Sequence, residues 1–140
     1  MIEDTNSIIR AYLVTQPTLT NLIGGATPRL YCPRLPENAT LPAISFFTRG
    51  GTANPHIKPI PSPSVQFDCW ADNLIDAREV YRALYDVFQG LQDQDVVVGV
   101  TTYRILSAIE EVQGQDLVDE LVPNYFRTLT FFSVMIRADV

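Results

Sequence analysis

One histidine and two cysteines are all that this chain of 140 residues offers for the commonest kinds of side-chain chemistry. Proton-transfer catalysis most often recruits histidine, and His56 stands in a stretch crowded with proline, with no base or orienting acid beside it in sequence. The serines Ser45, Ser62, Ser64, Ser107 and Ser133 fall in none of the nucleophile motifs. No phosphate-cradling glycine pattern occurs, and Gly50-Gly51 is too short to count as one. The pattern argues against an enzyme, and no catalytic residue, cofactor or metal site is assigned. Cys32 and Cys69 are too few for a disulfide framework and lack the paired spacing of a zinc site, so both are expected to be buried, reduced thiols. Long apolar runs are missing too: none approaches the ~20 residues of a membrane span. The opening Met1-Ile2-Glu3-Asp4 is acidic where a secretory or transit leader is basic, and the expected product is soluble and cytoplasmic.

Basic charge is also scarce. Sixteen acids against ten bases leave a net charge of −6, which disfavours general attraction to nucleic acid. The distribution carries more information than the total. Between Gln89 and Glu120, Asp93, Asp95, Glu110, Glu111, Asp116, Asp119 and Glu120 face Arg104 alone, and this segment holds the whole surplus. In the early middle of the chain, Arg29, Arg34, Arg49 and Lys58 face only Glu37. The molecule is therefore expected to be electrically two-sided. Oxygen ligation of Ca²⁺ or Mg²⁺ by the acidic group would need a calcium-loop spacing that is not there, which leaves a solvated acidic face as the plainer reading.

What is present is a balanced globular composition, 46% hydrophobic and 19% charged, at a length suited to one domain spanning residues 1–140. Ile8, Ile9, Tyr12 and Leu13 recur at helical spacing within Ile2 to Gln16, behind Asp4, Thr5 and Asn6 as cap candidates, and Pro17 either stops that helix or opens a second turn. Arg29 to Cys32 reads as a short extended run, and a strand follows Leu41-Pro42. Arg49 to Pro63 holds Gly50, Gly51, Pro55, Pro59, Pro61 and Pro63, and reads as an exposed arm or hairpin tip. Val65, Phe67, Cys69 and Ala71 alternate with Gln66, Asp68 and Trp70, a strand with one face in a core. Trp70, on the opposite face, is either covered by a helix or part of an interface.

Asn73 with Asp76 resembles a capping box with a shorter acid, and the helix it opens runs to Gly90 with Ala77, Val80, Tyr81, Leu84, Val87, Phe88 and Leu91 on its apolar face. Val96 to Val100 and Thr101 to Val112 read as two short strands or one bent one, with Gly99 at the bend. An acidic loop follows over Gln113 to Glu120. The closing run from Asn124 to Arg137 is apolar on both faces, so it is central or its second face meets another subunit. The expected fold is α/β (α+β): a mainly antiparallel sheet, a long helix packed on one face and a short N-terminal helix.

The order of these elements resembles the tail terminator family of long-tailed phages, also called tail completion or tail-to-head joining proteins. The resemblance rests on the N-terminal helix before Arg29-Leu30-Tyr31, the Leu41-Pro42 strand start, the proline- and glycine-rich arm, and the closing Tyr125-Phe126-Arg127 strand. Its most telling part is Val65-Gln66-Phe67-Asp68-Cys69-Trp70-Ala71 followed by the helix containing Ala77-Arg78. The resemblance implies a non-enzymatic virion protein that forms a ring, usually a hexamer. Such a ring caps the tail tube protein, meets a head–tail connector protein and lets DNA pass without specific binding, with no membrane involved. On that reading Arg49, Thr52, Asn54, His56, Lys58 and Pro61 belong to an assembly arm. Asp93, Asp95, Asp116 and Asp119 are then candidates to line the lumen by repelling phosphate, or to meet Arg34 and Arg49 of an adjacent subunit. The alternatives are a head-completion or neck adaptor protein, a minor tail protein, a small-molecule binding module, and a small enzyme with a pocket joining His56 to Asp68 or Glu110.

Overall fold

The computed structural model describes residues 4–52, 62–118 and 125–137. It begins with α1 (Thr5–Leu13), which buries Ile8, Ile9, Tyr12 and Leu13, the residues whose spacing predicted the helix. Asp4 occupies the N-cap position without a side-chain capping bond, and Asn6 instead accepts a hydrogen bond from the Thr48 hydroxyl at 2.8 Å. Pro17 is the first residue of α2 (Pro17–Thr20), where its missing N–H costs nothing. The second of the two outcomes open at that proline is the one realised.

Six strands form one sheet in the order β1-β2-β3-β6-β5-β4. The two-residue β1 (Leu30–Tyr31) is parallel to β2 (Ala43–Thr52), and every other pairing is antiparallel. The architecture is thus mixed α/β with a mostly antiparallel sheet. β3 (Ser62–Ala71) lies between β2 and β6, and β6 (Phe126–Arg137) lies between β3 and β5. Of its two partly apolar faces, the one carrying Phe132, Val134 and Ile136 lies in the core.

One face of the sheet carries the core. Ile44, Phe46, Val65, Phe67, Cys69, Ile105, Ala108, Phe132, Val134 and Ile136 meet α1 and α3 (Leu74–Phe88) in a single buried cluster. Each large side chain so buried contributes about 1.5–3 kcal/mol relative to exposure. Phe88 sits at its middle, with ring centroids 5.8 Å from Tyr12, 5.7 Å from Phe67 and 5.2 Å from Phe132. The Tyr12 hydroxyl, whose pKa burial raises, donates to the Val87 carbonyl at 2.7 Å and ties α1 to the end of α3. The helix starts as its sequence suggests: Asn73 Oδ1 accepts from the Asp76 amide at 2.8 Å, while Asn73 Nδ2 donates to Asp76 Oδ2 at 2.9 Å.

Several boundaries differ from expectation. β2 runs on to Thr52 and β3 begins at Ser62, with Gly51 opposite Pro63 and Thr52 opposite Ser62. Both ends of the expected 49–63 arm are therefore paired strand, and residues 53–61 lie outside the described residues. Pro63 is tolerated because pairing of β3 with β6 begins only at Ser64. Gly51 makes the close approach possible: at φ 130° a Cβ there would come within 2.6 Å of Pro63 Cα. The expected acidic loop is also strand as far as residue 118, since β5 (Thr101–Val118) continues past Gly114 and pairs with β6 through Gln115, Asp116, Leu117 and Val118. β4 (Leu91–Val98) starts five residues before the expected strand, and Gly99-Val100 form a two-residue turn into β5. Cys69 is buried as expected, but Cys32 is exposed, because the segment after β1 leaves the sheet instead of continuing beneath it. No helix among the described residues is long and apolar enough to cross a membrane.

Candidate interaction face

Because the helices all meet the sheet on the Phe67 side, the alternate residues of β2, β3 and β6 stand on a second face that no described helix covers. The cross-strand register aligns Phe47 with Gln66 and Phe131, Ser45 with Asp68 and Leu129, and Trp70 with Arg127. The polar members are not left to solvent. Arg49 donates to Gln66 Oε1 at 2.9 Å, Gln66 Nε2 donates to Asp68 Oδ2 at 3.2 Å, and Arg127 reaches Asp68 Oδ1 at 3.4 Å. The result is a connected row of side chains crossing three strands. Two arginines in it also lie over rings, Arg49 5.5 Å from the Phe131 centroid and Arg127 5.3 Å from Trp70. Each such contact is worth ~0.5–1 kcal/mol when exposed and more when dry.

Asp68 is only 5% exposed. Desolvation raises its pKa, opposed by the Gln66 hydrogen bond and the Arg127 charge. Trp70 donates its indole N–H to Ser45 Oγ at 2.9 Å and stands edge-on to Tyr125 at 6.4 Å. With Arg34, Leu35, Pro36 and Glu37 these two rings line a cavity of about 440 Å³ at one end of the face. Of the two outcomes open for Trp70, cover by a helix is not the one found: the ring is half-buried and flanked by the 32–42 segment.

A second concavity, of about 610 Å³, lies where α3 meets β5, lined by Tyr81, Tyr85, Asp86, Glu110 and Glu111 among others. Glu110 Oε2 accepts from the Tyr81 hydroxyl and from Thr130, each at 2.7 Å. Burial and the hydrogen bond to Glu110 push the Tyr81 phenol up to about 12. That hydroxyl also accepts from the Gly114 amide at 3.1 Å, and the Arg78 guanidinium lies 5.5 Å over the Tyr81 ring, bonded to the Gly114 carbonyl and to Asp116 at 3.0 Å. These contacts hold the far half of β5 on the helix, which is why residues beyond Gly114 remain strand.

Sequence reasoning proposed an assembly arm and an acidic group. Of the arm, Arg49 joins the second face, Thr52 ends β2, and Asn54, His56, Lys58 and Pro61 lie outside the described residues. The described acids are not brought together. Asp93 and Asp95 are exposed on the edge strand β4, with Asp95 bonded to Arg104 at 2.8 Å. Asp116 pairs with Arg78 and accepts from Thr128 at 3.1 Å, and Asp119 is outside the described residues. Asp116 is thereby paired within its own chain, as Asp95 is with Arg104, and both carboxylates stay partly exposed. Asp68 and Glu110 are likewise satisfied by neighbouring side chains, and among the described residues no group of three or more His, Cys, Asp and Glu is placed to hold a metal ion. The Arg49–Gln66–Asp68–Arg127 row was missed, although Gln66 and Asp68 on the polar side of a strand opposite two arginines were its visible signal. The chain matches no protein-family model and no curated protein in sequence.

Proposed function

We propose that the chain is a non-enzymatic structural protein that assembles with copies of itself into a ring, in the manner of the phage tail terminators it resembles, capping a tail tube and joining it to a head. The observation that carries this reading is the second face of the sheet, where half-buried Phe47, Trp70, Leu129 and Phe131 have no helix over them among the described residues. A monomer gains nothing from placing aromatics on an uncovered sheet face, whereas an assembly buries them. The row of hydrogen-bonded arginines stacked on those rings supports the same reading, since arginine and large aromatics dominate the energetically important positions of interfaces. The hexameric ring number, the tube and connector as partners, and the virion location follow the resemblance and belong to this proposal. Negative-stain electron microscopy of the purified protein tests it: closed rings with a central opening are expected, and fields of particles the size of single chains at every concentration would refute it.

A further inference from the structure

The sheet is polarised from one edge to the other. On the β2–β3–β6 side Arg49 and Arg127 are joined by Arg34 from the adjoining segment, and among the described residues neither Arg34 nor Arg49 has a carboxylate partner. On the β4–β5 side Asp93 and Asp95 stand on the exposed edge strand with Arg104 as their neighbouring cation. The apolar content is divided as well. The first side presents aromatic rings, Phe47, Trp70 and Phe131, and the second presents aliphatic side chains, with Val97 62% exposed and Val100 fully so on the β4–β5 hairpin and Ile109 55% exposed just beyond it on β5.

We propose that these two sides bind each other between copies of this chain: the β4–β5 hairpin of one copy seats on the Phe47, Trp70 and Phe131 region of the next, with Asp93 and Asp95 against Arg34 and Arg49. This rests on the reading of the chain as a self-assembling protein and names the surfaces that do it. Charge complementarity selects a second copy as occupant, because one chain carries both halves. The two patches lie at opposite sides of a single sheet, so each copy engages two neighbours, and the contact is heterologous, the kind that closes into a ring when the rotation between copies allows. Arg49 is already held by Gln66 and Phe131, so little side-chain entropy is lost on docking. The exposed valines supply the apolar counterpart to the rings, and the unlike charges set which surface meets which.

Two charge-reversed variants test the proposal, Arg34→Glu with Arg49→Glu, and Asp93→Lys with Asp95→Lys, each first checked for a native circular dichroism spectrum and melting. By sedimentation velocity each alone is expected to need on the order of a hundredfold more protein to assemble than the native chain, since like charges then face each other. Their equimolar mixture is expected to assemble like the native chain, because alternating copies restore every Asp–Arg and Glu–Lys contact. Should the aspartate variant fold poorly, Val100→Arg adds a cation at a fully exposed turn position and is expected to weaken assembly in the same direction. If the native chain assembles and the variants do so equally well, these surfaces are not the interface, although self-assembly stands. A mixture that stays monomeric when each variant does would refute the direct pairing of the two sides. A native chain that is monomeric throughout removes the self-assembly reading and this proposal with it.

Discussion

Removing the ring of Phe88 tests whether the aromatic cluster under the sheet is the stabilising centre of the fold. Phe88 has no exposed surface and touches Tyr12 from α1, Phe67 from β3 and Phe132 from β6, so one side chain joins α1 and α3 to the two central strands. Phe→Ala changes in cores cost about 3–5 kcal/mol, and the site has little freedom to collapse. Tyr12 is held by its hydroxyl on Val87, and Phe67 and Phe132 are fixed by strand pairing on both sides. The cost should thus fall near the top of that range, ~4–5 kcal/mol. At roughly 3 °C per kcal/mol for a chain of this size, Tm should drop by about 12–15 °C. Phe88→Leu keeps most of the volume and should lose well under half as much. Urea unfolding followed by circular dichroism measures both variants, with an unchanged m-value showing that the comparison is one of stability. A loss below about 2 kcal/mol for Phe88→Ala would mean that the cluster relaxes freely and that the centre of the core lies elsewhere.

Leu84→Asp should cost several kcal/mol, because it leaves an unpaired carboxylate among fully buried side chains, and a variant melting like the native chain would remove this face of α3 from the core. Gly114→Ala should destabilise by about 1–3 kcal/mol, since its Cβ would fall 2.6 Å from the Tyr81 ring, and hydrogen exchange should rise in residues 113–118. Asp68→Asn probes the raised Asp68 pKa: above its unfolded value of 3.8 the native state retains the proton longer than the unfolded chain does, so stability due to this group is full at lower pH and declines as pH rises through the folded pKa. The native protein should accordingly lose stability relative to Asp68→Asn on going upward from about pH 4, and a difference that is flat with pH would contradict the assigned burial. Replacing Thr52 to Ile60 by a short turn should leave the fold intact, because β2 and β3 keep their pairing from Ala43–Trp70 to Thr48–Val65, and under the proposed function should abolish the joining of tails to heads; an unfolded variant, or tails that join normally, would refute this.

Where one physical signal dominated, the sequence was readable. The helical spacing of α1, the Asn73–Asp76 cap and the alternation of β3 each reflect a short-range rule that tertiary contacts did not override. The two apolar faces of β6 left open whether it is central or meets another subunit, and the strand order shows that it is central. The far half of β5 was misread because Gly114 and its acidic neighbours look like a turn, whereas Tyr81 and Arg78, more than thirty residues away in sequence, hold them in the sheet. Register shifts between Ile105 and Ser107 and between Glu110 and Gln115 also break the alternation that marks a strand. The beginning of β4 was hidden by Gln92, Asp93, Gln94 and Asp95, which have low strand propensity and pair only because β5 is alongside. Of the interaction face, the individual aromatics and arginines were visible, but their convergence depends on cross-strand register that sequence spacing does not supply.

The most direct test of the central claim is the solution mass of the native chain, measured by analytical ultracentrifugation over a wide concentration range at physiological salt. The account predicts one discrete closed species, an integral multiple of the chain mass, in equilibrium with monomer only at high dilution. A single species with the mass of one chain at every concentration would contradict it.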